Sequence, residues 1–143
     1  MSLNAVDSHI LEILHSQRDA LVKKTTDIVF ASGSPQIDRA SVEQLLRGTM
    51  AIIEETILGE STDLRRMYLE TALPEVARAG TSPWRTVLND GLPCWGIIVG
   101  LMAIHASDTY RIDVVTRLSR IMGTWWAEVW DVMSPVYKSK GEL

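Results

Sequence analysis

The sequence predicts an all-α fold, built as a single five-helix bundle domain. Apolar residues recur at steps of three and four in the long segments, and no stretch alternates in polarity as a strand does. Hydrophobic residues make up 46% of the 143 residues and charged residues 22%, the composition of a folded domain with a core. Breaks rich in glycine, proline and serine divide the chain into five helical segments.

The first two segments have distinct start and stop signals. The first runs from about residue 5 to residue 31 and is stopped by Ser32-Gly33-Ser34-Pro35. The second opens with Ser41-Val42-Glu43-Gln44, which matches a capping box, in which a serine hydroxyl and a glutamine side chain satisfy the first helical amides. It ends at Gly59, because glycine adopts the left-handed conformation that ends many helices.

The third and fourth segments are interrupted by prolines. The third begins near Ser61 or Thr62 and ends at Gly80, and Pro74 predicts a kink or a split, because proline removes a helical donor. The fourth begins with Ser82 as a cap and Pro83 at the first helical position. A bend or break is predicted within it at residues 91–93.

After this bend the fourth segment is apolar on nearly all sides, which is typical of a helix at the centre of a domain. Its small residues form one narrow stripe that would let another helix cross closely: Gly96, Gly100, Ala103 and Ser107. The apolar run is shorter than the roughly 20 residues that a membrane span needs, so no membrane helix is expected.

The fifth segment runs from about Asp108 to Met133 and stops before Pro135, which leaves residues 136–143 as a flexible tail. One row of its residues follows alternating steps of three and four, as in the core of a bundle: Val115, Leu118, Met122, Trp125, Val129 and Val132. Trp125 is therefore predicted to lie in the core.

Three other large residues of this segment, Trp126, Trp130 and Met133, lie beside the core row, together with Ile112 and Gly123. Tryptophan and methionine are enriched at the centres of protein interfaces, so these three residues are predicted to face a second subunit. Two alternatives stay open: a neighbouring helix of the same chain covers them, or a ligand packs against them.

The charge pattern, the first residues and the cysteine content argue against nucleic-acid binding and secretion. The net charge is −4 and the 14 lysine and arginine residues are scattered, whereas a nucleic-acid-binding face needs a basic cluster. No basic region followed by an apolar one opens the chain, so no secretory signal is expected. The single cysteine, Cys94, has no internal disulfide partner, which is typical of a cytoplasmic protein.

No group of residues indicates catalysis or a metal site. His9 and His15 are six residues apart, whereas two ligands on one helical face need a spacing of three or four. The carboxylates lie on polar faces or near helix starts, and no spacing brings two of them together. We therefore expect neither an enzyme nor a metal-binding protein.

His105 is a candidate haem ligand, because it lies on the apolar fourth segment. Only 38 residues follow it, which leaves room for one long helix where a haem globin has two. The chain contains one phenylalanine, too few for an aromatic haem cage. A hydrogen-bonded histidine in the core or at a helix end is the alternative. We expect no haem and no other cofactor.

A small-molecule pocket, for a small ligand or a tetrapyrrole inside the bundle, is the alternative function. Large side chains of the last segments would line it: Trp84, Trp95, Met102, Trp125 and His105. A ligand that binds only the folded chain would raise its melting temperature.

The stretch RRMYLETALPEVARAGTSPWRTVLNDGLPCWGIIVGLMAIHASD, residues 65–108, resembles the N-terminal sensor domain of RsbR-type stressosome proteins. The resemblance covers about residues 60–135 and consists of a helix that ends in Ala-Gly, a Ser-Pro restart, a long apolar helix and a closing helix with aromatics. It implies a haem-free, globin-like helical homodimer that passes signals to a following STAS domain. The expected function is therefore a non-enzymatic signalling and sensor domain, with a STAS domain or other signalling proteins as partners.

Overall fold

The computed structural model describes residues 3–32, 38–59, 63–79 and 92–142. Within these ranges the chain forms helices joined by turns and no strand, which confirms the predicted all-α fold. The elements are α1 (Ala5–Ser32), α2 (Arg39–Leu58), α3 (Asp63–Met67), a π-helical segment (Tyr68–Ala72), α4 (Leu73–Ala79), α5 (Leu92–His105) and α6 (Arg111–Ser139).

α1 and α2 form an antiparallel pair that ion pairs join along one edge. Arg18 of α1 contacts Glu54 near the end of α2 at 2.7 Å, and Asp19 contacts Arg47 at 2.8 Å. Farther along α1, Asp27 pairs with Arg39 at the start of α2. The residues of α1 thus meet those of α2 in reverse order.

α2 begins two residues before the predicted capping box. Arg39 and Ala40 are already helical, and the Val42 N–H donates to the Asp38 carbonyl at 3.1 Å. Ser41 therefore lies inside the first turn, and the prediction that it begins the helix is wrong. The ion pair of Arg39 with α1 favours the earlier start.

The helix that contains Pro74 is not split. Its backbone stays helical from Asp63 to Ala79, and the Leu73 N–H donates to the Tyr68 carbonyl, five residues back. Proline lacks an N–H and clashes with the carbonyl four residues before it in an ordinary α-helix. The irregularity that Pro74 predicts takes the form of a wider π turn immediately before it.

α5 starts at Leu92, so Pro93 lies in its first turn, where a backbone N–H has no helical acceptor. Ser82, Pro83 and Gly91 lie outside the described residues, so the break predicted at residues 91–93 stays a prediction.

One side of α5 is not covered by the described part of the chain. Trp95, Ile98 and Met102 are buried, whereas Gly96 and Gly100 are exposed, and a Cβ added to either glycine would meet no described atom within 4 Å. Within the described residues, no helix makes the close crossing that the small-residue stripe would allow.

α6 continues through Pro135 to Ser139, so the predicted stop at Met133 and the predicted tail are wrong. Tyr137 is 0% exposed, and the Lys140 ammonium donates to the Ala77 and Arg78 carbonyls at 3.1 Å each. A proline inside a helix costs roughly 3 kcal/mol. Burial of the Tyr137 side chain, two residues beyond the proline, offsets that cost.

The core is a cluster of buried apolar residues to which α1, α2, α4, α5 and α6 all contribute. The largest fully buried side chains include Ile10, Leu14, Met50, Ile98 and Leu118. α6 runs along this cluster and contacts most of the other elements.

Tyr137→Ala is expected to lower the free energy of unfolding by about 3–5 kcal/mol, as other buried aromatic truncations do. Lys138→Ala is the matched control, because its side chain is exposed on the same turn and should change stability by less than about 0.5 kcal/mol. Urea denaturation followed by circular dichroism measures both. Equal stability of the two variants would show that the end of α6 is dispensable for the fold.

Candidate functional site

The buried residues of α6 change side along the helix. They are Val114, Leu118, Ile121, Trp125, Val129, Met133 and Tyr137. Five of the six steps between them are of four residues, which is longer than a helical turn of 3.6, so the buried row rotates around the helix. It therefore departs from the predicted row of alternating three and four steps.

Trp125 lies in the core, as predicted, and is 7% exposed. Its ring packs edge-on against Tyr68, with ring centroids 6.4 Å apart. The guanidinium of Arg65 lies 5.6 Å from the Trp125 ring centroid and also pairs with Glu128, one helical turn along α6. Trp125 thus fixes α3 and the π-helical segment to α6.

Tyr68 projects from the π-helical segment onto Gly48 of α2. A Cβ added to Gly48 would lie 2.2 Å from the Tyr68 hydroxyl oxygen, so glycine is what lets the ring lie there. Burial raises the pKa of the Tyr68 hydroxyl, which keeps the side chain neutral. The π turn and Gly48 together position an aromatic pair between α2 and α6.

Met133 does not belong to a subunit interface. It is 1% exposed within the single chain, because the rotation of the buried row carries it into the core, so this part of the prediction is wrong. Trp126 and Trp130 are half-buried. Trp126 packs against the core, and no acceptor in the described part of the chain contacts its enclosed Nε1.

An outer stripe on α6 is defined by six residues in steps of four and three: Ile112, Thr116, Ser119, Gly123, Trp126 and Trp130. Ile112 is 80% exposed, and Thr116, Ser119 and Gly123 are exposed as well. A Cβ added to Gly123 would meet no described atom within 4 Å. The sequence pointed to Ile112, Gly123 and the tryptophans, but not to the two small polar residues that complete the stripe.

The four described residues that were predicted to line a pocket do not share one site. Trp95 and Met102 are buried in the core two turns apart on α5, whereas His105 is exposed at the end of that helix. Trp125 is engaged by Tyr68 and Arg65. Trp84 lies outside the described residues. His105 therefore does not line an internal pocket with the buried side chains, and that prediction is wrong.

His15, Arg18 and Glu54 form a polar cluster on the α1–α2 pair. The His15 Nε2 lies 2.8 Å from the Glu54 Oε1, and the Arg18 guanidinium lies 2.7 Å from the Oε2. Hydrogen bonds from His15 and then Arg18 lower the pKa of Glu54 below its ordinary value. The cluster thus stabilises the fold above the ordinary glutamate pKa, and this contribution is lost as the pH falls through the lowered value.

The described ranges contain no group of three or more histidine, cysteine or acidic side chains that could hold a metal ion. None of the helices described is long and apolar enough to cross a bilayer.

No family model, no curated protein and no solved structure matches this chain. The outer stripe of α6 is an uncharged row of residues with an exposed isoleucine at one end.

Gly48→Ala is expected to destabilise the protein by about 1–3 kcal/mol, because the new methyl group overlaps the Tyr68 hydroxyl. Gly100→Ala is the matched control: no described atom lies near its added Cβ, so it should stabilise α5 by about 0.5–1 kcal/mol. Thermal and urea denaturation measure the two effects.

The same change in a Tyr68→Phe background separates this contact from a general effect on α2. Removal of the hydroxyl should recover part of the loss. If Gly48→Ala costs the same with Phe at position 68, the packing of Tyr68 on Gly48 is not the cause.

Proposed function

We propose that this chain is a non-enzymatic regulatory domain that acts as a homodimer through the outer stripe of α6. The observation that carries the proposal is the stripe itself, in which six apolar or small residues follow one another without a charge. Ile112 at one end is 80% exposed, so most of its apolar surface remains in contact with water in the single chain. Exposed apolar side chains in an uncharged row are typical of interaction sites in soluble proteins.

A second copy of this chain is the occupant that the charges favour. The charged residues of α6 lie on its other sides, among them Asp113, Arg117, Arg120 and Asp131. A charged partner would have to bury its ionic groups against the uncharged stripe, which costs free energy. A second copy brings the same uncharged stripe, even though each chain carries a net charge of −4.

The order of side chains along the stripe suits an antiparallel, two-fold pairing of two α6 helices. When the helices cross at Ser119, Ile112 of one copy lies opposite Trp126 of the other, because both are seven residues from the crossing. Thr116 then lies near Gly123, so small residues occupy the centre, where the backbones approach most closely. Such a contact is self-complementary, as a two-fold interface requires.

Regulation would follow from two alternative packings of this dimer, with a signal that binds one packing better than the other. The resemblance to the N-terminal domains of RsbR-type proteins supports this class of function, since it implies a haem-free, globin-like, dimeric sensor in the cytoplasm. In the same proposal, a STAS domain or another signalling protein receives the output. No cofactor takes part.

Ile112→Asp is expected to weaken association at least about 30-fold, the effect of losing roughly 2 kcal/mol at an interface hot spot. Ile104→Asp is the matched control, because Ile104 is 72% exposed but lies on α5, outside the stripe. Sedimentation velocity over a concentration series measures both, and circular dichroism checks the fold. A monomeric wild type, or a dimer that only Ile104→Asp disrupts, would contradict the proposal.

The antiparallel register has a separate test by disulfide formation in a Cys94→Ser background. Ser119→Cys should cross-link two chains on mild oxidation, because the two-fold axis brings this residue next to its own copy. Thr124→Cys is the control, since it is exposed on another side of α6. Non-reducing electrophoresis reads the outcome. Equal cross-linking of the two variants would contradict the register.

A further inference from the structure

The first turns of α1 are attached to the turn between α5 and α6 by a histidine. The Ser107 backbone N–H donates to the Nε2 of His9 at 3.0 Å, across 98 residues of sequence. The His9 ring also lies against Tyr110, with ring centroids 5.4 Å apart. Two residues before His9, the buried Asp7 accepts a hydrogen bond from the Arg117 Nε at 2.9 Å.

The direction of this hydrogen bond determines the protonation state of the ring. A backbone N–H can only donate, so the Nε2 of His9 has to present its lone pair. The neutral ring then carries its single hydrogen on Nδ1, which lies 3.8 Å from the Oε2 of Glu12. A doubly protonated ring would set two N–H groups against each other at the Ser107 contact.

We propose that His9 and the Ser107 amide form a pH-sensitive clasp, in which the neutral ring holds the α5–α6 turn against α1 and protonation of Nε2 releases it. Both partners belong to one chain, so the clasp does not depend on the homodimer. Histidine is the side chain that proteins use most often as a pH-dependent switch, which is the role the geometry gives His9.

The charged groups around His9 do not replace the lost hydrogen bond. Glu12 is the carboxylate next to the ring, and it is exposed, so solvent screens its attraction for a protonated imidazole. Two other pairs of charged groups lie on the elements beside His9, Asp7 with Arg117 and Asp108 with Arg111. The remaining titratable side chains near the α5–α6 turn include the exposed His105 and Asp113, and Tyr110.

His15 on the same helix behaves in the opposite sense, which makes it the matched control. Its Nε2 faces the Glu54 carboxylate at 2.8 Å, so a proton on that nitrogen strengthens the contact. Protonation therefore opens the contact of His9 and tightens that of His15.

Nuclear magnetic resonance on the uniformly ¹⁵N-labelled full chain tests the clasp without any substitution. Near neutral pH we expect a through-hydrogen-bond coupling between the Ser107 amide nitrogen and the His9 Nε2, with the ring hydrogen on Nδ1. As His9 is protonated, this coupling should disappear. The Ser107 amide should then lose about threefold to tenfold of its protection from hydrogen exchange, the equivalent of one ordinary hydrogen bond.

Variants separate His9 from the other groups that titrate. His9→Gln and His9→Phe cannot be protonated, so protection of the Ser107 amide, referred to the intrinsic exchange rate at each pH, should become independent of pH. His15→Gln should retain the wild-type dependence. The proposal is overturned if the coupling is absent at neutral pH, if Nε2 carries the hydrogen, or if His9→Gln shows the same loss of protection.

Discussion

The packing of α6 against several shorter elements is the constraint on which the rest of the structure depends. α6 has 29 residues, whereas α5 has 14 and α4 has seven, so neither covers it along its whole length. Different neighbours bury different turns, and the buried row consequently moves from Val114 and Leu118 on one side to Met133 and Tyr137 on another. The outer stripe is part of the surface that these neighbours leave exposed. The partial cover of one long helix thus produces both the core and the exposed surface.

The sequence was sufficient for the fold class and for Trp125, because both depend on periodicity within one segment. It was insufficient for Met133 and Tyr137, since periodicity shows which residues share a face but not which neighbour covers each turn. Pro135 was interpreted as a stop because a proline weakens a helix locally. The burial of Tyr137 and the hydrogen bonds of Lys140 to α4 are tertiary interactions that stabilise the helix beyond Pro135. Helix propensity describes single residues and therefore contains no information about them.

Contacts between distant residues explain most of what the sequence did not show about the sites. The His9 contact spans 98 residues and the Arg65–Glu128 contact spans 63, so no local motif announces either of them. The outer stripe was partly visible, because tryptophans in a surface row are conspicuous. Ser119 was not, because a serine on a helix surface is ordinary. Ser119 becomes part of a candidate binding surface because Ile112 in the same row is exposed, and that exposure is known only from the folded chain.

The two ends of α6 are held by different parts of the chain, and this connects the proposed clasp with the outer stripe. Near its start, Arg117 pairs with Asp7 of α1, and the preceding turn bonds to His9. Near its end, Tyr137 is buried and Lys140 bonds to α4. Ile112 belongs to the end held by α1, whereas Trp130 belongs to the end held by α4. Opening of the proposed clasp would remove one of the two contacts that hold the start of α6 to α1 and leave the Arg117–Asp7 pair. Through this end of α6, a change in the charge of His9 would then act on the position of Ile112, the exposed end of the surface on which we propose that a second copy binds.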